Sequence, residues 1–313
     1  MPNNKGTVLI FGASGLAGSA VFNRFKDVGW NIIAPDRSQC NAASLDSVKR
    51  FFHRIGTMPD VVVNCVANAN VDKNGKDSWD SNVLAPRFIG EACIDYRIPL
   101  LIHISTDYVF NRHSAVPIDE KDQNYSPCNE YGRQKLMADM SLVGMYDNWN
   151  YRNEAHPLKL RIVRTSSLFG PGRETFVDIV IKNYLAGGEV YAIDSGSSIP
   201  TSTRHLANHI VELAEKEAFS EEKDIFDNTR YFKNCVCNTS CPVSRMVLAQ
   251  TVMEIISKKV YGSLTINKAN DWDFGAVRPM FSQLKPSDKI LAPYWKDELV
   301  SYISEIRLTD EKK

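Results

Sequence analysis

Residues 7–18 read Thr7-Val8-Leu9-Ile10-Phe11-Gly12-Ala13-Ser14-Gly15-Leu16-Ala17-Gly18, and they indicate the class of fold. It opens with a continuous apolar run of strand length, and three glycines spaced G-x-x-G-x-x-G follow at once. A helical stretch then continues to about Val28. A buried strand, a glycine turn and a helix are the opening of a βαβ unit. The free N–H groups at such a helix N-terminus are a place where a pyrophosphate binds.

The alternation of strand and helix continues through the first half of the chain. Further strands are expected at residues 31–34, 60–64, 100–104 and 158–164, with helices at about 44–55, 79–96 and 131–144. This order predicts an α/β fold, a Rossmann-type doubly wound parallel sheet over residues 1–168. Residues 169–313 are expected to build a smaller C-terminal α/β substrate-binding part. The boundary is soft, because later segments are expected to rejoin the first domain.

The second half of the chain is less regular. Its helical periods predict helices at residues 176–186, 205–219, 247–256 and 295–306. Residues 146–157 are polar and aromatic with no clear period, so a surface insertion is expected there, and its role stays open.

The composition limits which binding partners and which cellular compartment are expected. A formal net charge of +0 gives no support to nucleic acid or to an acidic membrane as a partner. Seven cysteines, an odd number without metal spacing, suggest free thiols in a reducing compartment. Cys235, Cys237 and Cys241 lack a second group of ligands, so no metal site is predicted. The chain opens directly into a strand and its apolar runs are too short to span a bilayer, so a cytoplasmic protein is expected.

The second strand ends at Asp36 and Arg37, where the adenosine ribose of a dinucleotide is expected to lie. A carboxylate there accepts from both ribose hydroxyls and favours NADH, whereas an arginine pairs with the 2′-phosphate of NADPH. Because both residues are present, the choice between NADPH and NADH stays open.

Tyr131 and Lys135 lie four residues apart and therefore share one face of a helix. A nearby ammonium favours the phenolate and lowers the tyrosine pKa, so such a tyrosine can exchange a proton with a substrate oxygen. The alternative is an ordinary solvated helix face. Upstream, the fourth strand ends in Ser105-Thr106-Asp107, at the edge where open α/β sheets place their ligands.

Together these residues resemble an extended short-chain dehydrogenase/reductase, and within that group the dTDP-4-dehydrorhamnose reductase family. Five segments in family order, spread over nearly the whole chain, carry the resemblance: Asp36-Arg37-Ser38-Gln39, Asn70-Val71-Asp72-Lys73, Ser105-Thr106-Asp107-Tyr108-Val109-Phe110, Tyr131-Gly132-Arg133-Gln134-Lys135 and Arg278-Pro279-x-x-Ser282-x-Leu284.

The resemblance implies a role for each matching residue. Tyr131 would donate a proton to the substrate oxygen. Lys135 would lower the pKa of Tyr131 and hold the nicotinamide ribose, and Thr106 would hydrogen-bond the carbonyl. The implied substrate residues are Thr106, Asp107, Ser167 and Arg278. The implied cofactor residues, besides Tyr131 and Lys135, are Gly12, Ser14, Gly15, Leu16 and Ala17 at the pyrophosphate, Asp36 and Arg37 at the ribose, Asn41 and Ala42 near adenine, and Cys65, Val66 and Ala67 at the next strand end.

The substrate half departs from the family pattern. Ser167 stands where the family has a tryptophan that packs against the sugar, and Phe281 replaces an asparagine. The first hypothesis is therefore a reductase of the C4 ketone of a nucleotide-linked 4-keto-6-deoxy sugar, with the nucleotide left open. The alternative is a non-catalytic cofactor-binding subunit that resembles the methionine adenosyltransferase regulatory subunit. A homodimer is implied by the resemblance only.

Overall fold

The computed structural model describes residues 5–72, 76–220, 231–240, 242–287 and 292–306. Six parallel strands form the large sheet in the order β2-β1-β3-β4-β5-β9. They are β1 (Thr7–Phe11), β2 (Asn31–Ile33), β3 (Val61–Asn64), β4 (Leu100–Thr106), β5 (Lys159–Thr165) and β9 (Phe232–Asn234). The strand order reverses between β1 and β3, and ligands of such sheets bind at that point, beyond the carboxyl ends of the strands.

Helices cover both faces of this sheet because its strands are apolar on both sides. Phe11 and Leu9 of β1 pack with helices α2, α4 and α5, whereas Val8 and Ile10 pack with α1 and α7. The bounds are α1 (Leu16–Asp27), α2 (Leu45–Arg54), α3 (Lys76–Trp79), α4 (Ala85–Asp95), α5 (Glu130–Arg152) and α7 (Thr203–Glu217), with a π-helical turn (Asp80–Leu84) between α3 and α4. The predicted doubly wound fold is confirmed.

The second part has its own core of apolar side chains. Helices α6 (Phe176–Ala186), α8 (Arg245–Ser257) and α9 (Trp295–Glu305) pack there. Two small parallel sheets accompany them, β7 (Glu189–Ile193) with β10 (Thr265–Ala269), and β6 (Leu168–Phe169) with β8 (Thr201–Ser202). Strand β9 pairs with β5 and α7 packs on the large sheet, so segments from beyond residue 169 return to it. The boundary between residues 168 and 169 stays a prediction.

The expectation of a surface insertion at residues 146–157 is wrong. Helix α5 continues to Arg152, and the Tyr146 side chain is fully buried within it. The buried Asn150 side chain pairs with the backbone of Leu158 in both directions, at 3.0 Å and 2.9 Å. The mixture of polar and aromatic residues conceals this buried face, because Tyr146 and Asn150 are spaced by one helical turn but are not aliphatic.

No helix in the described ranges is both long and apolar enough to cross a membrane.

The pairing of Asn150 with Leu158 is expected to stabilise the fold. Asn150→Ala leaves a buried N–H and a buried C=O of Leu158 without partners, at a cost of about 2–4 kcal/mol in the free energy of unfolding. Urea denaturation measures this loss. Asn148→Ala is the matched control, because Asn148 is an exposed asparagine on the same helix. An equal loss in both variants would contradict the assignment.

Candidate active site

The glycine turn after β1 has no room for side chains. Gly12 has φ +77°, and a Cβ on it would lie 2.9 Å from the backbone carbon of Cys65 at the end of β3. Gly15 precedes α1, and no side chain caps the first N–H groups of that helix. An uncapped helix N-terminus beside a bare backbone turn suits a pyrophosphate, so the residues present fit a dinucleotide.

A cleft of about 560 Å³ begins at this turn. Residues predicted to hold the cofactor line it: Gly12, Ser14, Gly15, Asp36, Arg37, Asn41, Ala42, Cys65, Val66 and Ala67. Arg173, in the loop before α6, also lines the cleft and was not predicted. Its position follows from the packing of that loop on α1, where a Cβ on Gly172 would lie 2.8 Å from the Ser19 hydroxyl.

Asp36 and Arg37 both line the ribose end of the cleft, and Asp36 is hydrogen-bonded within its own loop. Asp36 Oδ1 accepts from the backbone N–H groups of Ser38 and Gln39, at 2.8 Å and 3.0 Å, and from the Ser38 hydroxyl at 2.6 Å. The Ser38 hydroxyl and these N–H groups lower the pKa of Asp36. This carboxylate therefore holds its own loop together. Arg37 is exposed and lines the cleft.

A second cavity of about 460 Å³ adjoins the cleft, and the two share Gly15, Cys65, Ala67 and Arg173. Thr106, Tyr131 and Lys135 all line this cavity, together with Leu16 and Ala17 of α1. Asp107 and Ser167 line it as well. The structure thus brings the predicted catalytic residues together beside the predicted pyrophosphate site, while their roles stay predictions.

Tyr131 lies in the first turn of α5, which is held closely against the end of β4. The Asn129 side chain caps this helix by accepting from the Gly132 N–H at 2.8 Å. A Cβ on Gly132 would lie 2.2 Å from the Tyr108 carbonyl oxygen, so only glycine permits this contact. The ring centroids of Tyr108 and Tyr131 are 5.8 Å apart with the rings edge to face.

The pKa of Tyr131 shifts in the direction opposite to the sequence expectation. Burial raises it above the ordinary value, and a hydrogen bond with the Thr106 side chain offsets part of that rise. Asp107, Tyr108 and Asp139 raise this pKa further. Lys135 Nζ donates to the Ile104 carbonyl oxygen at 2.8 Å. Burial lowers the pKa of Lys135 to about 8.

Several polar groups beneath Lys135 were not predicted from the sequence. His103 Nε2 lies 3.1 Å from Lys135 Nζ, and His103 Nδ1 lies 3.0 Å from Asn64 Nδ2. Asp139, one turn beyond Lys135, accepts from the Ser105 hydroxyl at 2.7 Å. All these side chains are buried. The signal was available, since Asn64 and His103 are polar residues in strands that are otherwise apolar.

Asp107 joins three segments at the floor of the cavity. Its Oδ2 accepts from the hydroxyls of Ser166 at 2.8 Å and Ser282 at 2.6 Å, and its Oδ1 lies 3.2 Å from the Thr106 hydroxyl. Burial raises the pKa of Asp107 to about 6, and these hydroxyl donors oppose the rise. Its predicted contact with the sugar stays a prediction.

The other two predicted substrate residues are Ser167 and Arg278. Both line a small recess beside the main cavity. Ser167 has φ 39°, and its hydroxyl lies 2.5 Å from that of Ser198. Arg278 lines the recess and not the main cavity, and its Nη2 donates to both carboxylate oxygens of Asp72, at 2.7 Å and 2.8 Å. A direct role of Arg278 at the reacting atoms is therefore not favoured by its position.

Among the described residues, no group of three or more His, Cys, Asp and Glu side chains is arranged to hold a metal ion. Cys235 and Cys237 are buried, and Cys241 lies outside the described residues.

Comparison with known proteins agrees with this geometry. The family model of the RmlD substrate binding domain matches residues 6–308. The chain belongs to this family. The resemblance to dTDP-4-dehydrorhamnose reductases is thereby confirmed.

Two relatives of this RmlD-family chain bear on its activity. It is 27% identical over 212 residues to a dTDP-4-dehydrorhamnose reductase of Mycolicibacterium smegmatis, a match that covers 66% of this chain and 60% of the relative. It is also 27% identical over 223 residues to the methionine adenosyltransferase 2 subunit beta of Danio rerio, covering 67% of this chain and 64% of that protein. The matches therefore span less than two thirds of each relative's length.

A solved structure agrees with the fold. The dTDP-4-dehydrorhamnose reductase of Bacillus anthracis in complex with NADP superposes with a TM-score of 0.79 at 20% identity, covering 96% of this chain and 99% of that one. At this identity the similarity shows the fold alone.

The buried carboxyl of Asp139 is expected to govern part of the pH dependence of stability. Burial raises its pKa from 3.8 to about 6. The stability it contributes is therefore complete below about pH 4 and is lost as the pH rises through 6. Between about pH 4 and 6, the free energy of unfolding of Asp139→Asn is expected to fall by about 1–3 kcal/mol less than that of the parent protein.

Urea titrations across this pH range measure the difference. Asp27→Asn serves as the control, because Asp27 is an exposed aspartate on α1. Parallel pH curves for the parent protein and Asp139→Asn would show that Asp139 does not titrate in this window.

Proposed function

We propose that this protein is an NADPH-dependent reductase of the C4 ketone of a nucleotide-linked 4-keto-6-deoxy sugar. The observation that carries the proposal is that Thr106, Tyr131 and Lys135 line one cavity with the uncapped N-terminus of α1. A dinucleotide with its pyrophosphate at that helix N-terminus would extend into the cavity where the reacting ketone is expected. The name of the mycobacterial relative supports this substrate class.

NADPH, when bound, supplies the hydride that reduces the carbonyl carbon. Tyr131 donates its phenolic proton to the carbonyl oxygen as that oxygen gains negative charge. Burial keeps the pKa of Tyr131 high, so the phenol is protonated at neutral pH and ready to donate. The Thr106 side chain hydrogen-bonds Tyr131 and lines the same cavity, so its hydroxyl would turn from Asp107 to donate to the carbonyl oxygen.

The sugar nucleotide is expected on the side of the cavity that the second part of the chain provides. Phe176, Val177 and Leu248 give that wall an apolar surface, and Arg245 at the start of α8 adds a positive charge. The Arg245 guanidinium lies 4.9 Å above the Phe176 ring. A cation on an aromatic wall suits a diphosphate followed by a planar base.

Tyr131→Phe is expected to abolish turnover. The loss of the proton donor lowers kcat by about 10²–10⁴-fold. NADPH binding, followed by the fluorescence of the reduced cofactor, is expected to persist, because the cleft is unchanged. Oxidation of NADPH with dTDP-, UDP- and GDP-4-keto-6-deoxy sugars measures turnover.

Tyr151→Phe is the matched control, since Tyr151 is an exposed tyrosine on the same helix and is expected to leave kcat unchanged. A Tyr131→Phe protein that keeps the parental kcat would show that Tyr131 is not the proton donor.

The preference for NADPH over NADH rests on Arg37. Asp36 Oδ1 is bound by its own loop, so the exposed Arg37 is the group at the cleft that is left to pair with a 2′-phosphate. Arg37→Ala is expected to weaken NADPH binding about tenfold or more and to leave NADH binding unchanged. Fluorescence titration measures both affinities. The control is Arg50→Ala, an exposed arginine on α2, and an equal weakening of both cofactors in Arg37→Ala would contradict the assignment.

The second candidate is a cofactor-binding regulatory subunit. The similarity to the Danio rerio subunit favours it, and so does the small polar Ser167 at the sugar wall. Tight NADPH binding without turnover of any keto-sugar in the panel would support this candidate against the reductase. The homodimer and the cytoplasmic location stay predictions.

A further inference from the structure

Arg173 lies where the cofactor cleft passes into the catalytic cavity. The cleft and the cavity share four lining residues, Gly15, Cys65, Ala67 and Arg173. Gly15 immediately precedes α1, and Cys65 and Ala67 follow β3. Burial raises the pKa of the Cys65 thiol to about 12, so this cysteine is uncharged at neutral pH. Arg173 is therefore the charged residue among the four, and the second part of the chain contributes it.

Two close backbone contacts determine the position of the loop that carries Arg173. A Cβ on Gly170 would lie 2.1 Å from the hydroxyl oxygen of Thr203, the first residue of α7. A Cβ on Gly172 would lie 4.0 Å from the Cα of Leu16, the first residue of α1. Because residue 173 follows Gly172 directly, the Arg173 side chain begins beside the N-terminus of α1.

The positive charge of Arg173 is not neutralised by a neighbouring side chain. Arg173 is exposed, and within the ranges that the structure describes no carboxylate forms an ion pair with it. The adjacent Glu174 pairs instead with Lys182, at 3.7 Å. Asp36 and Asp80 also line the cofactor cleft, and Asp36 is bound by its own loop. The Arg173 guanidinium is therefore available to an anionic ligand.

The N-terminus of α1 does not supply a full positive charge by itself. A helix N-terminus is equivalent to about half an elementary charge, carried by its free N–H groups. The first turn of α1, Leu16 to Ser19, contains no charged side chain. A pyrophosphate carries two negative charges, and a guanidinium binds phosphate oxygens through paired hydrogen bonds. Arg173 adds the full positive charge that a pyrophosphate at this terminus requires.

We propose that Arg173 binds the pyrophosphate of the dinucleotide, so that the second part of the chain holds the cofactor against the first. The inference deepens the proposed function, and it rests on that function only for the presence of a dinucleotide in the cleft. The task differs from that of Arg37, because the pyrophosphate is common to NADPH and NADH whereas the 2′-phosphate is not.

A second diphosphate is expected in the cavity, because the proposed substrate is a nucleotide sugar. Arg245 on α8 is a cation of the cavity wall and does not line the cofactor cleft. Arg173 lines both spaces, and the three residues that line both with it are predicted cofactor residues. The position of Arg173 therefore favours the pyrophosphate of the cofactor over the diphosphate of the sugar nucleotide.

Arg173→Ala is expected to weaken the binding of NADPH and of NADH by the same factor, about tenfold or more. Fluorescence titration of the reduced cofactors measures both affinities. The difference from the parent protein is expected to shrink at high salt, because salt screens an exposed ion pair. Arg173→Lys is expected to recover part of the affinity, since lysine keeps the charge but not the paired hydrogen bonds. A residue that only supports the loop would show neither the salt dependence nor this recovery.

Two ligands without the dinucleotide pyrophosphate separate the alternatives, and calorimetry measures their affinities. The affinity for 2′,5′-ADP, which has the 2′-phosphate, is expected to fall further in Arg37→Ala than in Arg173→Ala. The affinity for dTDP, which represents the sugar nucleotide, is expected to be unchanged in Arg173→Ala. Arg152→Ala is the matched control, because Arg152 is an exposed arginine at the end of α5 that lines neither space.

Parental affinity for both dinucleotides in Arg173→Ala would overturn the proposal, and so would a loss confined to NADPH. A loss of dTDP affinity alone would assign Arg173 to the sugar nucleotide instead. These titrations need no turnover, so they decide the role of Arg173 even if the parent protein binds NADPH and reduces no keto-sugar. That outcome would contradict the proposed reductase alone, whereas a parent protein that binds neither dinucleotide would contradict both.

Discussion

The carboxylate of Asp107 is the contact on which the arrangement of the site depends. It accepts from the hydroxyl of Ser166, just after β5, and from the hydroxyl of Ser282, which lies 175 residues after Asp107 in the chain. These bonds bring the second part of the chain against the carboxyl end of the large sheet. A buried carboxylate is costly unless hydrogen bonds compensate it, so the three segments must stay together. Asp107 and Ser166 both line the cavity that contains Tyr131.

Beneath this contact the protein buries more polar groups than its fold requires. Lys135, His103, Asp139 and Asn64 are all almost inaccessible to solvent, in a layer between β3, β4 and α5. Replacing such groups by apolar residues often leaves a fold equally stable. Their presence is better explained by chemistry than by stability. Hydrogen bonds join each of them to a buried neighbour.

The sequence indicated the parts of the molecule that local patterns determine. The apolar run before Gly12 and the glycine spacing predicted β1, its turn and α1, because crowding at a strand end leaves room for glycine alone. Tyr131 and Lys135 were found because one helical turn separates them. Helix α5 was predicted too short, since its buried face is built from Tyr146 and Asn150 and shows no aliphatic period. His103 was missed because its partners, Asn64 and Lys135, are 39 and 32 residues away.

Strand β9 has a consequence for synthesis of the protein on the ribosome. It is the edge strand of the large sheet, yet it is formed by residues 232–234. Phe232 of that strand covers the buried Arg164 guanidinium, which lies 3.8 Å from the ring centroid. A nascent chain that ends before this strand leaves one edge of β5 unpaired and a buried charge uncovered. The large sheet therefore cannot be completed until about three quarters of the polypeptide has been translated. A fragment that ends after β5 is not expected to fold stably by itself as a nucleotide-binding domain.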